Sequence, residues 1–122
     1  MNVVFVYGSL QRGECNHRMM KGARLLRSAK TAPAFDLFDL GSFPAMVARG
    51  DAPVVGELYE VDDVLLKRLD VFEGHPRFYE RTEIQLEDGT TAEAYLMPRS
   101  QVRGTRRIVS GSWKARSAGE VR

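Results

Sequence analysis

Five apolar residues in a row, Val3-Val4-Phe5-Val6-Tyr7, run directly into the turn Gly8-Ser9-Leu10. The run is too short for a helix and lacks the alternation of a strand with one wet face, so it predicts a central strand covered on both sides. A chain built on such a strand must supply apolar cover twice. A strand that ends in a glycine turn before a polar segment, here Gln11 to Asn16, also brings backbone N–H groups and small side chains to a sheet edge, where ligands commonly sit. The remaining chain is therefore read as what closes a pocket around that turn.

Asn16 is placed to cap a short helix to about Lys21, with Met19 and Met20 as apolar contacts and Gly22 past its end. Ala34 to Leu40 alternates imperfectly as a strand, Gly41-Ser42-Phe43-Pro44 breaks it, and Ala45 to Ala48 resumes before a turn at Arg49-Gly50-Asp51. Val54 to Val61 is a stronger strand, with Val54 and Leu58 on one face and Val55, Tyr59 and Val61 on the other. Gly56 inside it predicts a bulge or a close approach by another group. Asp62 caps the one clear helix, which runs to Phe72 with Leu65, Leu69 and Phe72 on one face and Leu66 beside them. Gly74 ends it and Pro76 prevents continuation. Phe78 to Leu86 and Thr91 to Met97 form a hairpin across Glu87-Asp88-Gly89-Thr90. This order is α+β with a largely antiparallel or mixed sheet, and without repeated βαβ units a doubly wound fold is disfavoured.

The 122 residues read as one domain over 1–113, its last segment docked by Ile108, Val109 and Trp113, followed by a polar tail over 114–122 that is expected to fray. The start lacks a basic region before its apolar run, and no stretch approaches the roughly 18 apolar residues of a membrane span, so a cytoplasmic protein without membrane contact is expected. The net charge of +2 conceals an asymmetry: from Pro98 onward there are seven Arg or Lys against Glu120 alone, whereas the first 97 residues carry 11 basic and 15 acidic side chains. A basic end of this kind can touch phosphates, but without interleaved aromatics it reads as a solvated tail, and no nucleic-acid partner is expected. The size is compatible with a monomer or a small homo-oligomer.

The N–H groups of Gly8-Ser9-Leu10 can form a nest for a carboxylate or an oxyanion, with a purely structural turn as the competing reading. Gly8 and Gly13 have the first spacing of a phosphate loop, but Glu14-Cys15 stands where Lys and Ser or Thr are needed. Glu73 is the most informative carboxylate. The helix dipole at its C-terminal end, together with Phe72, Phe78 and Tyr79 excluding water, raises its pKa toward that of a general acid or base working near neutrality; otherwise it is a solvated residue after a helix. Tyr7 and Tyr79 are hydroxyl donors if they face one cavity and core-edge tyrosines if they do not. Glu80, Arg81 and Glu83 read as hairpin surface charges, and His17 and His75 have no visible partner. Cys15, a lone cysteine, forms no intrachain disulfide or thiolate cluster and reads as a packing residue before a nucleophile; the two histidines lack ligand spacing, so no metal site is expected.

Taken together, Phe5-Val6-Tyr7-Gly8-Ser9-Leu10-Gln11-Arg12-Gly13 with Asn16-His17, Val55-Gly56-Glu57-Leu58-Tyr59, Leu69-Asp70-Val71-Phe72-Glu73-Gly74, Tyr79-Glu80-Arg81 and Ser110-Gly111-Ser112-Trp113 resemble the γ-glutamylcyclotransferase-like (AIG2-like) family, and in motif the γ-glutamylamine cyclotransferases within it. The resemblance implies a small, mixed, barrel-like sheet with flanking helices. It implies removal of a γ-glutamyl group by intramolecular cyclisation, with release of 5-oxoproline and a free amine and with no cofactor. It assigns the general acid/base role to Glu73 and the lining of the γ-glutamyl pocket to Tyr7, Gly8, Ser9, Leu10 and Tyr79. The alternative is a non-catalytic domain that binds a small metabolite or a peptide carboxylate in the same pocket.

Overall fold

The structure, a computed structural model, describes residues 1–116. Its strands are β1 (Asn2–Val6), β2 (Arg24–Lys30), β3 (Phe35–Asp39), β4 (Pro44–Ala48), β5 (Val55–Val61), β6 (Glu80–Gln85), β7 (Thr91–Leu96) and the short β8 (Arg106–Arg107). The helix α1 (Asp63–Glu73) lies between β5 and β6, and single 3₁₀ turns occupy His17–Met20 and Arg99–Val102.

β1 lies inside the sheet, antiparallel to β5 and parallel to β7, which is why its sequence is apolar from Val3 onward. Val4 and Val6 point to one cluster, with Tyr59, Val61, Tyr95 and the helix residues Leu65, Leu66 and Leu69. Phe5 and Tyr7 point to the other, with Ala29, Leu58, Ile84, Ala92 and Ala94. The order β2-β5-β1-β7-β6 closes on itself: Ala32 N–H donates to the Gln85 carbonyl and Glu87 N–H to the Lys30 carbonyl, both at 2.9 Å, around the bridge between Thr31 and Leu86. Every strand of this closed layer contributes to the Phe5 cluster, so that cluster fills the barrel while α1 covers the Val4 face outside. β4, parallel to β7, leads a β4-β3-β8 extension from the same edge of β7 that β1 occupies. The α+β expectation with a mixed sheet and flanking helices holds.

The helix ends follow their sequence signals. The Asp62 carboxylate accepts from Leu65 N–H at 2.7 Å, and Gly74, at φ 68°, closes the C-terminus with its N–H on the Asp70 and Val71 carbonyls. Gly56 is a close approach, not a bulge. A Cβ there would stand 2.3 Å from the Val6 carbonyl oxygen and 2.7 Å from Phe5 Cζ, while the register shift in this part of the sheet falls on β2 between Leu25 and Arg27.

Several expectations are corrected. Asn16 makes no cap bond with its side chain, and only one 3₁₀ turn follows it. β2 is a strand that polar spacing hides, because its residues are largely exposed and its pairing with β5 runs through the backbone. Phe72 does not join Leu65 and Leu69 in the core; it lies in the last turn of the helix and is 40% exposed. Over the described residues, to Arg116, the basic end is not a free solvated tail. Arg99 and Arg107 meet Asp36, Arg107 also Asp51, Arg106 meets Asp39 and Lys114 meets the buried Glu57, so the cations of the last segment offset the acidity of the body. Exposed pairs of this kind add little stability one by one, but together they seat β8 and the following residues on β3. Arg116 lies over the Trp113 ring at 4.1 Å; the rest of the expected tail, residues 117–122, lies outside the described residues. No helix among the described residues is long and apolar enough to cross a membrane.

Candidate functional site

The turn after β1 is shaped by what it packs against. A Cβ on Gly8 would lie 2.8 Å from the Pro44 ring, so only glycine lets the turn rest on the start of β4. Gln11 N–H donates to the Gly8 carbonyl and Asn16 N–H to the Ser9 carbonyl, which folds the segment back on itself. The N–H groups of Gly8, Ser9 and Leu10 themselves donate to no partner among the described residues. Asn16 Nδ2 donates to Ser9 Oγ at 3.0 Å, leaving the serine hydroxyl free to donate outward. Below the turn, Arg12 N–H donates to Glu57 Oε1 at 2.9 Å and the Arg12 guanidinium pairs with Oε2. Burial works to raise the Glu57 pKa, but hydrogen bonds from Arg12 and Tyr59 and the charge of Lys114 outweigh it and leave the pKa lowered. A charged post thus anchors the turn to β5.

Gly8, Ser9 and Leu10 line one cavity of about 190 Å³ together with Tyr7, Glu73 and Tyr79. Glu73, after the long helix, and the turn after the first strand therefore line the same space, although they lie in opposite halves of the chain. The buried side chain of Leu10 roots the turn in the outer core cluster. The other walls of the cavity come from Phe5 and Val6 on β1, from Asn16, from Phe43 before β4 and Pro44 at its start, from Phe72 and Phe78 on either side of Glu73 in sequence, and from Tyr95 on β7.

Glu73 is the only carboxylate in this lining, and among the described residues the lining holds no Lys, Arg or His. Burial pushes its pKa up to about 7. Tyr7 and Tyr79 do share the cavity, but their hydroxyl protons are committed: Tyr7 donates to the Tyr95 carbonyl and Tyr79 to the Pro44 carbonyl, each at 2.6 Å, while Tyr7 also accepts from Met46 N–H. The two oxygens therefore offer lone pairs, not donors. Burial first, and then the negative charges of neighbouring groups, hold both phenols above their ordinary range.

Behind the cavity, Arg81 binds both oxygens of Asp70 and pairs with Glu93, and Tyr95 donates to Asp70 at 2.6 Å. Arg81 is thus a strut between β6, β7 and α1, not a hairpin surface charge. His75 accepts from Arg81 N–H through Nδ1, and His17 Nδ1 lies 2.9 Å from the Leu10 carbonyl oxygen, so both histidines have partners that the sequence did not reveal. Arg81→Met is expected to destabilise the fold by about 2 kcal/mol, because it leaves a half-buried carboxylate with the Tyr95 hydroxyl as its remaining strong donor. Urea unfolding at neutral pH measures this.

A second expectation follows from Glu73. Its folded pKa lies above the unfolded value, so the folded state binds more protons between the two, and stability falls as pH rises from about 4.5 to about 7. Glu73→Gln removes that loss. The variant should exceed the parent in stability by roughly 2 kcal/mol at pH 8 and converge with it near pH 4. Thermal or urea unfolding at the two pH values checks the sign.

Four lining residues are not legible in the sequence as site residues: Asn16 reads as a helix cap, Phe43 and Pro44 as a break between strands, and Tyr95 as an ordinary hairpin position. A Pro-containing break that follows an aromatic is the only local signal among them.

One family model, described as "Gamma-glutamyl cyclotransferase, AIG2-like", matches residues 4–115, which contain the entire cavity lining. The chain belongs to that family. An Escherichia coli γ-glutamylcyclotransferase family protein is 36% identical over 110 residues, covering 90% of this chain and 94% of its own. The rat γ-glutamylaminecyclotransferase is 39% identical over 93 residues, covering 68% of this chain and 62% of its own. The crystal structure of a mouse AIG2-like protein superposes with a TM-score of 0.72 at 32% identity, over 80% of this chain and 77% of that one. As a member of the AIG2-like family the chain shares the mixed sheet and flanking helices seen here.

Proposed function

We propose that this protein is a cofactor-free γ-glutamyl cyclotransferase that releases 5-oxoproline and a free amine from a γ-glutamyl-amine or a related amide. One observation carries the reading: a single carboxylate with its pKa raised to about 7 by burial lines a small cavity together with a turn whose three backbone N–H groups have no partner among the described residues. The reaction is an exchange at one carbonyl. The substrate amine attacks its own γ-carbonyl, a five-membered ring closes, and the bond to the leaving nitrogen breaks. Holding the folded-back conformer removes most of the entropic barrier, so the protein's remaining task is to move protons and to stabilise charge.

Glu73, ionised, takes a proton from the α-ammonium and makes it a nucleophile. The N–H groups of Gly8, Ser9 and Leu10 and the free Ser9 hydroxyl proton hold the substrate carboxylate and the carbonyl oxygen as it becomes an oxyanion. Protonated Glu73 then donates to the leaving nitrogen. The two protons shed by the α-nitrogen are the two gained by the leaving amine, so one carboxylate acting twice balances the reaction, and a pKa near the working pH suits both transfers. The oxygens of Tyr7 and Tyr79, each already donating, remain as acceptors toward the α-ammonium.

Assay of 5-oxoproline release from a panel of γ-glutamyl amines and peptides tests this. Turnover of at least one member is expected. A purified, folded protein that binds panel members and turns over none would leave the binding-domain reading in its place.

A further inference from the structure

We infer that the cavity selects γ-glutamyl amides whose leaving amine is apolar, aromatic best of all, with Phe72 and Phe78 setting that preference, and that it disfavours leaving groups carrying a carboxylate. The inference rests on the cyclotransferase reading and concerns the same site. Its starting point is exposure. Of the residues lining the cavity, only Phe72 and Phe78 are exposed, at 40% and 46%, so these two rings flank the opening to solvent. Large apolar side chains held open to water at the rim of a cavity mark a surface that a ligand covers.

Phe78 forms part of a continuous aromatic wall with Phe43 and Tyr79. Phe78 packs edge-on against Phe43 at 6.0 Å and against Tyr79 at 5.1 Å, and Phe43 meets Tyr79 at 6.3 Å. The contacts seat Phe78 against this wall although it is exposed. The position is also defended from behind, because a Cβ on Gly74 would stand 2.9 Å from Phe78 Cβ.

Volume places the leaving group on this wall. The cavity of about 190 Å³ is smaller than the roughly 300 Å³ at which pockets begin to enclose drug-sized ligands, so it has room for an amino-acid-sized acyl portion and the remainder must extend to the rim. Charge then restricts what the remainder can be. A γ-glutamyl peptide places the carboxylate of its leaving amino acid close to the scissile nitrogen, yet the lining offers no Lys, Arg or His to meet it. Arg77 precedes Phe78 in sequence but does not line the cavity. An anion there would lose water without compensation and would face the negative faces of the rings and the Glu73 carboxylate. An apolar or aromatic amine would instead bury surface against Phe72 and Phe78.

Three substrates separate these effects: γ-glutamylbenzylamide, γ-glutamylmethylamide and γ-glutamylglycine. We expect kcat/KM for the benzylamide to exceed that for the methylamide by about tenfold, with the glycine compound below both. Phe72→Ser and Phe78→Ser should each shrink the benzyl-to-methyl ratio, and because the ratio is taken within one preparation, partial unfolding cancels. Equal rates for benzylamide and methylamide, a glycine compound that matches or exceeds the methylamide, or a ratio unchanged in both variants would overturn the inference. If none of the three is turned over, the cyclotransferase reading is what fails; calorimetric affinities for the same compounds then test the rim separately, the same order supporting it and a flat or reversed order overturning it.

Discussion

Glu73→Gln is expected to lower kcat/KM for γ-glutamyl amides by about 10²- to 10⁴-fold, the range by which a positioned acid/base contributes. The amide keeps the size of the side chain and loses the ability to accept a proton. In the parent protein, kcat/KM should rise with pH through a limb near 7, because Glu73 must be ionised to take the first proton and burial holds its pKa there. The variant should lack that limb while binding a γ-glutamyl amide within a few-fold of the parent, since the donors of the turn are untouched. Steady-state kinetics from about pH 5 to about pH 9, with calorimetry on the variant, would check all three. A variant that retained most of the activity would remove Glu73 from the reaction. The gain in stability expected of the same variant at alkaline pH separates lost chemistry from lost fold: activity falls while the unfolding midpoint rises.

Gly56→Ala should cost about 3 kcal/mol, the upper end of what overpacking usually costs, and lower Tm by roughly 12 °C. The added methyl carbon would meet the Val6 carbonyl oxygen at 2.3 Å and the Phe5 ring at 2.7 Å. Phe5 is fully buried inside the barrel, and Val6 is paired with Glu57 on β5, so neither can yield without moving β1. Any such movement reaches Tyr7 and Gly8 next in the chain, and activity should fall with stability. Gly104→Ala is the contrast. It has φ 78° but nothing within 4 Å of an added Cβ, so its cost is conformational, about 1 kcal/mol. Thermal unfolding of the two variants side by side tells crowding from backbone strain, and equal shifts would show that β1 and β5 have room to part.

The elements that are legible in the sequence are those whose signals are local. Asp62 and Gly74 bound α1 because capping depends on hydrogen bonds within a few residues, and the faces of β5 can be read from alternation alone. β2 is not legible, since an exposed strand with charged side chains has no apolar period and is held by its partner's backbone. The basic end misleads for a related reason: a charge shows in composition, but whether it is solvated depends on which carboxylate the fold brings beside it, as Asp36 is brought to Arg99 and Arg107.

For the candidate site, residue types and neighbours in the chain are enough to single out Glu73, the turn from Gly8 to Leu10, and the tyrosines at 7 and 79, and the motifs they belong to are enough to point to the family. Only the packed chain brings the two halves to one cavity, turns the phenol protons toward the Tyr95 and Pro44 carbonyls, and leaves Phe72 and Phe78 open at the rim. The reason is physical. Capping, turn chemistry and side-chain period act over a few residues and leave their mark on the local sequence, whereas burial, proton commitment and exposure are set by neighbours distant in the chain, which no local pattern encodes.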